Sequence, residues 1–591
     1  MRGMTKRWLV REARDNGRGA DASTLLHRLL AARGLTDGDV VRRFCEPRLT
    51  DLHDPGLMAG IDTAARRLVD AVRQGQRIVI YGDYDVDGIT ATAILFHTIR
   101  TADPAARVGY YVPHRLEEGY GLNAEALRQF RSDGADVVVS VDCGISAVEE
   151  AAEARRLGLD LIVTDHHHLP AEGAALPEAL AIVHPGLRSD RGEPYPFGDL
   201  CGAGVAFKLA WRFATTWCGS QRVSQALQAT LIEMLPLAAL GTIADVVPLV
   251  DENRVLASFG LRRIKQTTIP GLRSLIEAAD LMNEQIDCEK VGFVLGPRLN
   301  ACGRMGHAAE AVRMLTDAPA DEALAIARRL TGLNEQRQRT ERDIVEQASR
   351  LAEDAGMTGD DHRVIVLAHE SWHPGVVGIA CARLADRFGR PVVLMQRQGE
   401  VCKGSARSVE GYSIHNGLEA CRDLLVAFGG HEMAAGLSVS TGNLEAVTER
   451  LREHANAAIT AEQLTPSIEI DCDADLHELD LDTVRRIAAL APFGRGNRRP
   501  TMRVSGAVLA EAPRQMGAQG RHLSLRLRQD VNGRRQMIRT VWWRQGERAS
   551  SIAPGMRLDV AVEPKVNTWN GRTTVEAELR DVRVCPDQRT Q

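Results

Sequence analysis

Asp83-Tyr84-Asp85-Val86-Asp87-Gly88 sets three carboxylates at every second position, directly after the apolar run Ile78-Val79-Ile80-Tyr81-Gly82. A short run rich in β-branched residues reads as a buried strand, and Ile89-Thr90-Ala91-Thr92-Ala93-Ile94-Leu95 resumes with helical character. Three acids crowded where a strand becomes a helix repel one another unless a cation lies among them. Hard oxygen ligands of this kind suit Mg²⁺ or Mn²⁺. A single Asp at such a turn commonly caps the helix; three at this spacing ask for more. The other metal reading, a calcium EF-hand loop, fails at the twelfth position, which needs a bidentate Glu and holds Ile94.

Further metal-ligand types follow two more apolar runs. Val137-Val138-Val139-Ser140-Val141 ends on Asp142, and Leu161-Ile162-Val163-Thr164 ends on Asp165-His166-His167-His168. Asp245 sits in the apolar stretch Ala244-Asp245-Val246-Val247. Isolated histidines such as His97, His184 and His362 read as ordinary core or surface residues. The elements that must position this set are strand candidates at 77–81, 108–112, 136–141, 159–164 and 181–184, with helices such as 147–157 between them. That alternation predicts a doubly wound parallel sheet. Ligands of such sheets bind outside the carboxyl ends of the strands, where these acids and histidines fall. A two-metal cluster accounts for the coincidence.

The chain has 591 residues, 44% of them hydrophobic and 26% charged, enough for several buried cores. Its eleven cysteines form no Cys-x-x-Cys pair, so neither a zinc knuckle nor a disulfide framework is indicated. The N-terminus carries no apolar signal core, and the most apolar stretch, 231–250, holds Glu233 and Asp245 and makes a poor membrane span. A soluble cytoplasmic protein is expected. The net charge of −5 hides an asymmetry: residues 491–591 hold 19 Lys plus Arg against 9 Asp plus Glu, leaving 54 against 69 elsewhere. A basic tail on an acidic body suggests a phosphate-bearing partner.

Residues 321–355 run without Pro, are rich in good helix formers, and read as one long connecting helix across Gly332. Beyond it, Gly404-Ser405 lets a backbone approach a ligand closely, and Arg407 offers a donor fork suited to phosphate. From about Pro466 the pattern turns to alternating strands at 467–471, 522–527 and 537–542, with Pro492-Phe493-Gly494-Arg495-Gly496-Asn497 as a loop after a short helix. A small β-barrel of the OB type fits. Such barrels bind single strands with a basic groove and aromatic platforms. Arg521, Arg526, Arg528 and Arg539 are candidates, with Trp542 as the stacking residue, although alternation alone leaves open which of Trp542 and Trp543 is buried.

Asp85, Asp87, Asp142, the Asp165-His166-His167 triplet and Asp245 together resemble the ordered motifs of the DHH phosphoesterases. The resemblance is nearest to that family's bacterial branch of single-strand-specific 5′-to-3′ DNA exonucleases. It continues through Gly296-Pro297-Arg298-Leu299-Asn300 to Arg304, Trp372-His373-Pro374-Gly375, Gly404-Ser405-Ala406-Arg407 and Gly429-Gly430-His431-Glu432. The resemblance implies five segments: an N-terminal helical segment (1–60), a DHH catalytic domain (61–317), a connecting helix (318–357), a second α/β DHH-associated domain (358–465) and a C-terminal OB-fold β-barrel (466–591). It implies a metal-dependent hydrolase releasing 5′-mononucleotides in DNA repair and recombination. Asp83, Asp85, Asp87, Asp142, His166 and Asp245 would hold two divalent cations, Mn²⁺ or Mg²⁺, with Asp142 as bridge. His167 would serve the scissile phosphate or leaving oxygen, and Asp165 would orient a histidine. Arg115, Arg298, Arg304, Ser405, Arg407 and His431 would hold phosphate or DNA. Tyr81 stands where smaller relatives carry a histidine ligand, with Asp83 as the natural substitute. The implied partners are single-stranded DNA, a single-strand-binding protein and a helicase, with a monomeric enzyme. Alternatives are a phosphodiesterase of short RNA or cyclic dinucleotides, and a non-catalytic replication scaffold; the complete carboxylate set argues against the scaffold.

Overall fold

A computed structural model describes residues 1–11, 24–115, 117–171, 173–189, 192–531, 533–569 and 571–585. The chain forms two compact units, one made of 46–339 with Pro492–Arg498, the other of 1–45, 340–491 and 499–591.

The first unit is built on five parallel strands: β1 (Ile78–Gly82), β2 (Val108–Tyr111), β3 (Val137–Val141), β4 (Asp160–Thr164) and β5 (Ala181–Val183). Their order is β2-β1-β3-β4-β5. Alternate residues feed two cores, as strand periodicity requires. Ile78, Ile80, Val137, Val139 and Ile162 pack with helices Ile61–Arg73, α1 (Val86–Ala102) and α2 (Gly202–Cys218). Val79, Tyr81, Val138, Leu161 and Val163 pack with helices Ala124–Ser132 and Val148–Leu157. Helices cover both faces, the expected doubly wound arrangement, and the strands lie within a residue or two of their expected positions. Helix α3 (Gln225–Ala244) is long and apolar enough to cross a membrane, yet 67% of its most apolar window is buried against α1, α2 and their neighbours.

The order reverses between β1 and β3, which makes their carboxyl ends the switch point where such sheets bind ligands. Register sharpens this. Gly82 lies opposite Val141, and Val141 opposite Thr164, so Asp83, Asp142 and Asp165 step off the same rim.

Helix α4 (Ala320–Asp354) is continuous, and nothing lies within 4 Å of where a Cβ on Gly332 would point. The second unit carries a mixed sheet of β6 (Ile365–His369), β7 (Val392–Gln398), β8 (Val401–Arg407), β9 (Leu425–Gly430) and β10 (Ala434–Ser440), ordered β9-β10-β8-β7-β6, with helix α5 (Pro374–Phe388) against it. It also carries β11 (Met502–Leu509), β12 (His522–Val531), β13 (Arg534–Trp542), β14 (Arg557–Trp569) and β15 (Arg572–Val584). These pair in the cycle β11-β14-β15-β13-β12 and back to β11, a closed five-stranded barrel.

Three sequence expectations need correction. Strand Ser467–Ile470 lies outside the barrel cycle and pairs in parallel with Arg7–Val10. The N-terminal stretch is therefore not wholly helical: Trp8 Nε1 donates to the buried Asp581 carboxylate at 2.8 Å, and Leu25 and Leu29 enter the barrel core. Such ties join residues hundreds of positions apart and leave no local signal. Thirdly, Pro492–Arg498, expected within the barrel segment, clusters with the catalytic unit.

Candidate metal centre

Asp83, Asp85 and Asp87 leave β1 and enter α1. Asp85 does what a lone Asp there would do: its Oδ1 caps α1, accepting from the Asp87 N–H at 2.9 Å and the Gly88 N–H at 3.3 Å. Asp87 reaches across to α2, accepting from the Gly202 N–H at 2.6 Å and the Ala203 N–H at 2.8 Å. Two amides at a helix N-terminus hold a carboxylate well. Gly202 is required there because a Cβ would stand 2.6 Å from that of Asp142. Asp142 itself takes a left-handed φ of 63°, uncommon outside glycine but tolerated by Asp, and this turns its carboxylate back over the rim.

The side chains converge. His166 Nε2 lies 3.1 Å from Asp142 Oδ1, 3.6 Å from Asp87 Oδ2 and 3.7 Å from Asp245 Oδ2. One ligand atom from each of Asp83, Asp85 and Asp142 lies within 4.8 Å of the others, and the same holds for Asp87, His166 and Asp245. A third such group, Asp142, His166 and His167, links the two. Asp142 thus stands between both cation-sized clusters.

The electrostatics fit that arrangement. Burial, followed by the neighbouring Asp87, Asp85, Asp83 and Asp245 charges, drives the Asp142 carboxyl far above the usual range. Burial and Asp85 do the same to Asp83. Burial with Asp87 and Asp85 pushes Asp245 up to about 8. Burial lowers His166, favouring the neutral imidazole that binds metals. Asp83 Oδ1, Asp142 Oδ1 and His166 Nε2 are buried with no hydrogen-bond partner among the described residues. Buried polar atoms are ordinarily satisfied, so three orphans aimed into one acid-lined space fit divalent cations.

Asp165 has a different environment. Its Oδ2 accepts from the Ile145 N–H at 2.8 Å, and its Oδ1 accepts from the His166 and His167 amides and pairs with His167 Nδ1 at 2.8 Å. Burial opposes its charge, but the hydrogen bond and charge of His167 prevail and hold it down to about 2. Burial likewise opposes the His167 cation, and Asp165 outweighs it, raising His167 to about 9. The histidine oriented by Asp165 is therefore His167, which keeps a proton at neutral pH. His184, read from sequence as an ordinary residue, braces the same loop through the His167 carbonyl at 2.8 Å.

The expected anion-binding residues divide. Arg115 stacks over Tyr84 at 4.6 Å and acts on Asp83, and the Arg304 charge also reaches Tyr84. Arg298 does not join them: its guanidinium is committed to Thr331 Oγ1 at 3.2 Å and the Val294 carbonyl at 2.7 Å. In the second unit, Ser405 and Arg407 lie on β8 beside Gly378 in α5, where a Cβ would meet Ser405 Oγ at 3.1 Å and Arg407 Nη2 at 3.5 Å. His431 is exposed in the turn after β9. On the barrel, Arg526 and Arg539 line a groove of about 580 Å³ with Gln536, Met537 and Glu576, and Arg521 is exposed. Trp542 is corrected: at 2% exposure it belongs to the barrel core, while Trp543 is 42% exposed and packs on His522. Tyr81 is likewise core, donating to the Gly121 carbonyl at 2.9 Å.

Sequence reasoning missed Tyr120, whose hydroxyl lies 3.1 Å from His167 Nδ1 and donates to the Asp142 carbonyl at 3.2 Å. Its only signal was an aromatic between two glycines. It also missed Asn300, whose Oδ1 accepts the Val86 N–H at the start of α1.

With this geometry in view, three family profiles match the chain: the DHH family, N-terminal domain, over 77–242, the DHHA1 domain over 361–458 and the RecJ OB domain over 470–581. The single-stranded-DNA-specific exonuclease RecJ of Bacillus subtilis (strain 168) is 38% identical over 563 residues, spanning 95% of this chain and 68% of that protein. Crystal structures of RecJ from Thermus thermophilus superpose with TM-scores of 0.79 for the Mn²⁺ complex and 0.74 for the Mg²⁺ complex. Their identities are 31% and 30%, each covering 98% of this chain and 80% and 79% of the other.

Proposed function

Since the chain belongs to the RecJ family of DHH-type exonucleases, we propose that it hydrolyses single-stranded DNA from the 5′ end, releasing 5′-mononucleotides with two divalent cations, Mn²⁺ or Mg²⁺. The observation that carries this reading is the meeting of Asp83, Asp85, Asp87, Asp142, His166 and Asp245 at one sheet rim around three orphaned ligand atoms.

These six residues would hold the two ions, Asp142 lying between the two groups. When bound, such a pair of ions polarises a phosphoryl oxygen and acidifies a water for in-line attack. Asp87 is pointed by the α2 amides. His167, charged through Asp165, offers a proton or a positive field to the phosphate or the departing 3′-oxygen. Tyr120 holds the His167 ring toward Asp142. Arg115 beside Asp83 and Arg304 near Tyr84 supply positive charge for the phosphate chain, and Ser405, Arg407 and His431 are assigned to phosphate in the second unit. The barrel groove with Arg526 and Arg539, and the exposed Trp543, are assigned to the strand. Contacts of this kind reach backbone and base faces, so sequence preference should be weak.

The reading extends to a cytoplasmic monomer in DNA repair and recombination, acting on strands opened by a helicase and covered by single-strand-binding protein. The test is end-labelled single-stranded DNA with Mg²⁺, Mn²⁺ or EDTA, beside RNA dinucleotides and cyclic dinucleotides. Metal-dependent mononucleotide release from the 5′ end supports it; turnover confined to dinucleotides overturns it.

A further inference from the structure

The turn that delivers Asp245 is strained. Asp245 closes α3, its N–H donating to the Gly241 carbonyl at 2.9 Å, and the next residue, Val246, takes a left-handed φ of 60°. A β-branched residue there is a genuine outlier, because its Cβ crowds the following carbonyl. Val246 is also 59% exposed, so no burial of its side chain compensates. A conformation of this kind persists only where surrounding contacts over-determine it.

Those contacts come from Pro492–Arg498, far along the chain yet part of the catalytic unit. The Leu249 N–H donates to the Arg495 carbonyl at 2.7 Å. Gly494 packs on Leu249, where a Cβ would stand 2.7 Å from Leu249 Cδ1. Gly496, at φ 74°, lies against Pro248, where a Cβ would meet Pro248 Cβ at 3.1 Å. The segment is itself locked. Gly494 and Asn497 exchange backbone hydrogen bonds, and Asn497, 1% exposed, donates through Nδ2 to the Pro492 carbonyl at 2.8 Å. From the other side, Asn253 Nδ2 donates to the Pro248 carbonyl at 3.1 Å and buried Arg254 reaches the Pro492 carbonyl at 3.4 Å.

We propose that Pro492–Arg498 is a positioning element of the metal centre: it clamps the strained Asp245–Val250 turn and so keeps the Asp245 carboxylate within the cation cage. The inference rests on the ligand assignment above. The segment's residues act through Asp245, so they are positioning residues.

The test is Mn²⁺ binding by calorimetry on the full chain, with amide exchange at 247–250 and melting of the metal-free protein. Asn497→Ala and Gly496→Ala should weaken one Mn²⁺ site by about tenfold to a hundredfold, the range seen when a supporting partner of a metal ligand is lost. The other site should be spared, the Leu249 amide should exchange faster, and excess Mn²⁺ should restore turnover. Val246→Asn relieves the strain from the opposite side. In the Val246→Asn, Asn497→Ala double variant the affinity should return toward wild type, a rescue that general destabilisation does not give. Unchanged Mn²⁺ affinity in both single variants while Asp142→Asn loses binding overturns the clamp alone. Unchanged binding in Asp142→Asn overturns the ligand assignment itself. Should Asn497→Ala not fold, Val246→Asn read alone decides: slower exchange at 247–250 supports the clamped strain, and faster exchange overturns it.

Discussion

The rim of the catalytic sheet and the surface of the barrel use the same kinds of charged residue in opposite ways. At the rim, acids are buried, crowded and partly without partners, so burial and neighbouring carboxylates push Asp83 and Asp142 far up, an arrangement that divalent cations would relieve. On the barrel, the arginines are exposed and already paired, Arg526 with Glu511 at 3.4 Å and Arg539 with Glu576 at 2.5 Å. Exposed pairs contribute little to stability and exchange partners at low cost, which suits the proposed passage of a single strand over this surface. The rim is built for one fixed arrangement, the barrel for many.

Asp142→Asn should break the rim outright, lowering kcat by on the order of 10³-fold, the scale of losing one transition-state charge partner, with the melting temperature of the metal-free protein kept or raised. Near-normal turnover in saturating Mn²⁺ would remove Asp142 from the proposed ligand set. Asp165→Asn acts one step further out and should cost about tenfold to a hundredfold. It carries a pH signature as well. His167 is raised to about 9, so the stability its pairing contributes is full below its unfolded value near ~6.5 and lost as pH rises through about 9. In Asp165→Asn the alkaline fall in activity should move to lower pH; an unmoved limb would show that the His167 proton has no part.

The barrel predictions are smaller. Trp543→Ala should weaken single-strand binding by about 1–3 kcal/mol, one stacked base, without lowering the melting temperature. Trp542→Ala should instead destabilise the barrel by about 3–5 kcal/mol, which thermal melting would register. Equal effects of the two on DNA binding at low temperature would erase the distinction drawn from their exposure. Arg539→Ala should have the least effect, reducing the salt slope of binding by about 0.7, as for one lost phosphate contact. A slope unchanged across a salt titration would place the strand elsewhere on the barrel.

Much of the centre was legible before folding. The acids and histidines follow apolar β-rich runs, and parallel strands bring the ends of such runs to one rim, so Asp83, Asp142 and Asp165 could be placed together from their neighbours alone. The partition of roles was less legible. By spacing alone Asp165 is one more ligand type, and the orienting role came only from the resemblance; the Ile145 amide and His167 occupy its oxygens. Arg298 reads as a phosphate binder and is spent on Thr331 and Val294.

What the chain's own order of residues determined is therefore local: where strands stop, which ligand types stand at their ends, and that 320–354 forms one helix. Tertiary structure decided what depends on partners distant in sequence: the Asp87 carboxylate held by α2, Trp542 turned inward and Trp543 outward, the N-terminal strand joined to Ser467–Ile470, and Pro492–Arg498 gripping the Asp245 turn. The physical reason is range. Spacing along the backbone sets dihedrals and periodicity within a few residues, whereas burial and hydrogen-bond satisfaction are settled only when remote segments pack.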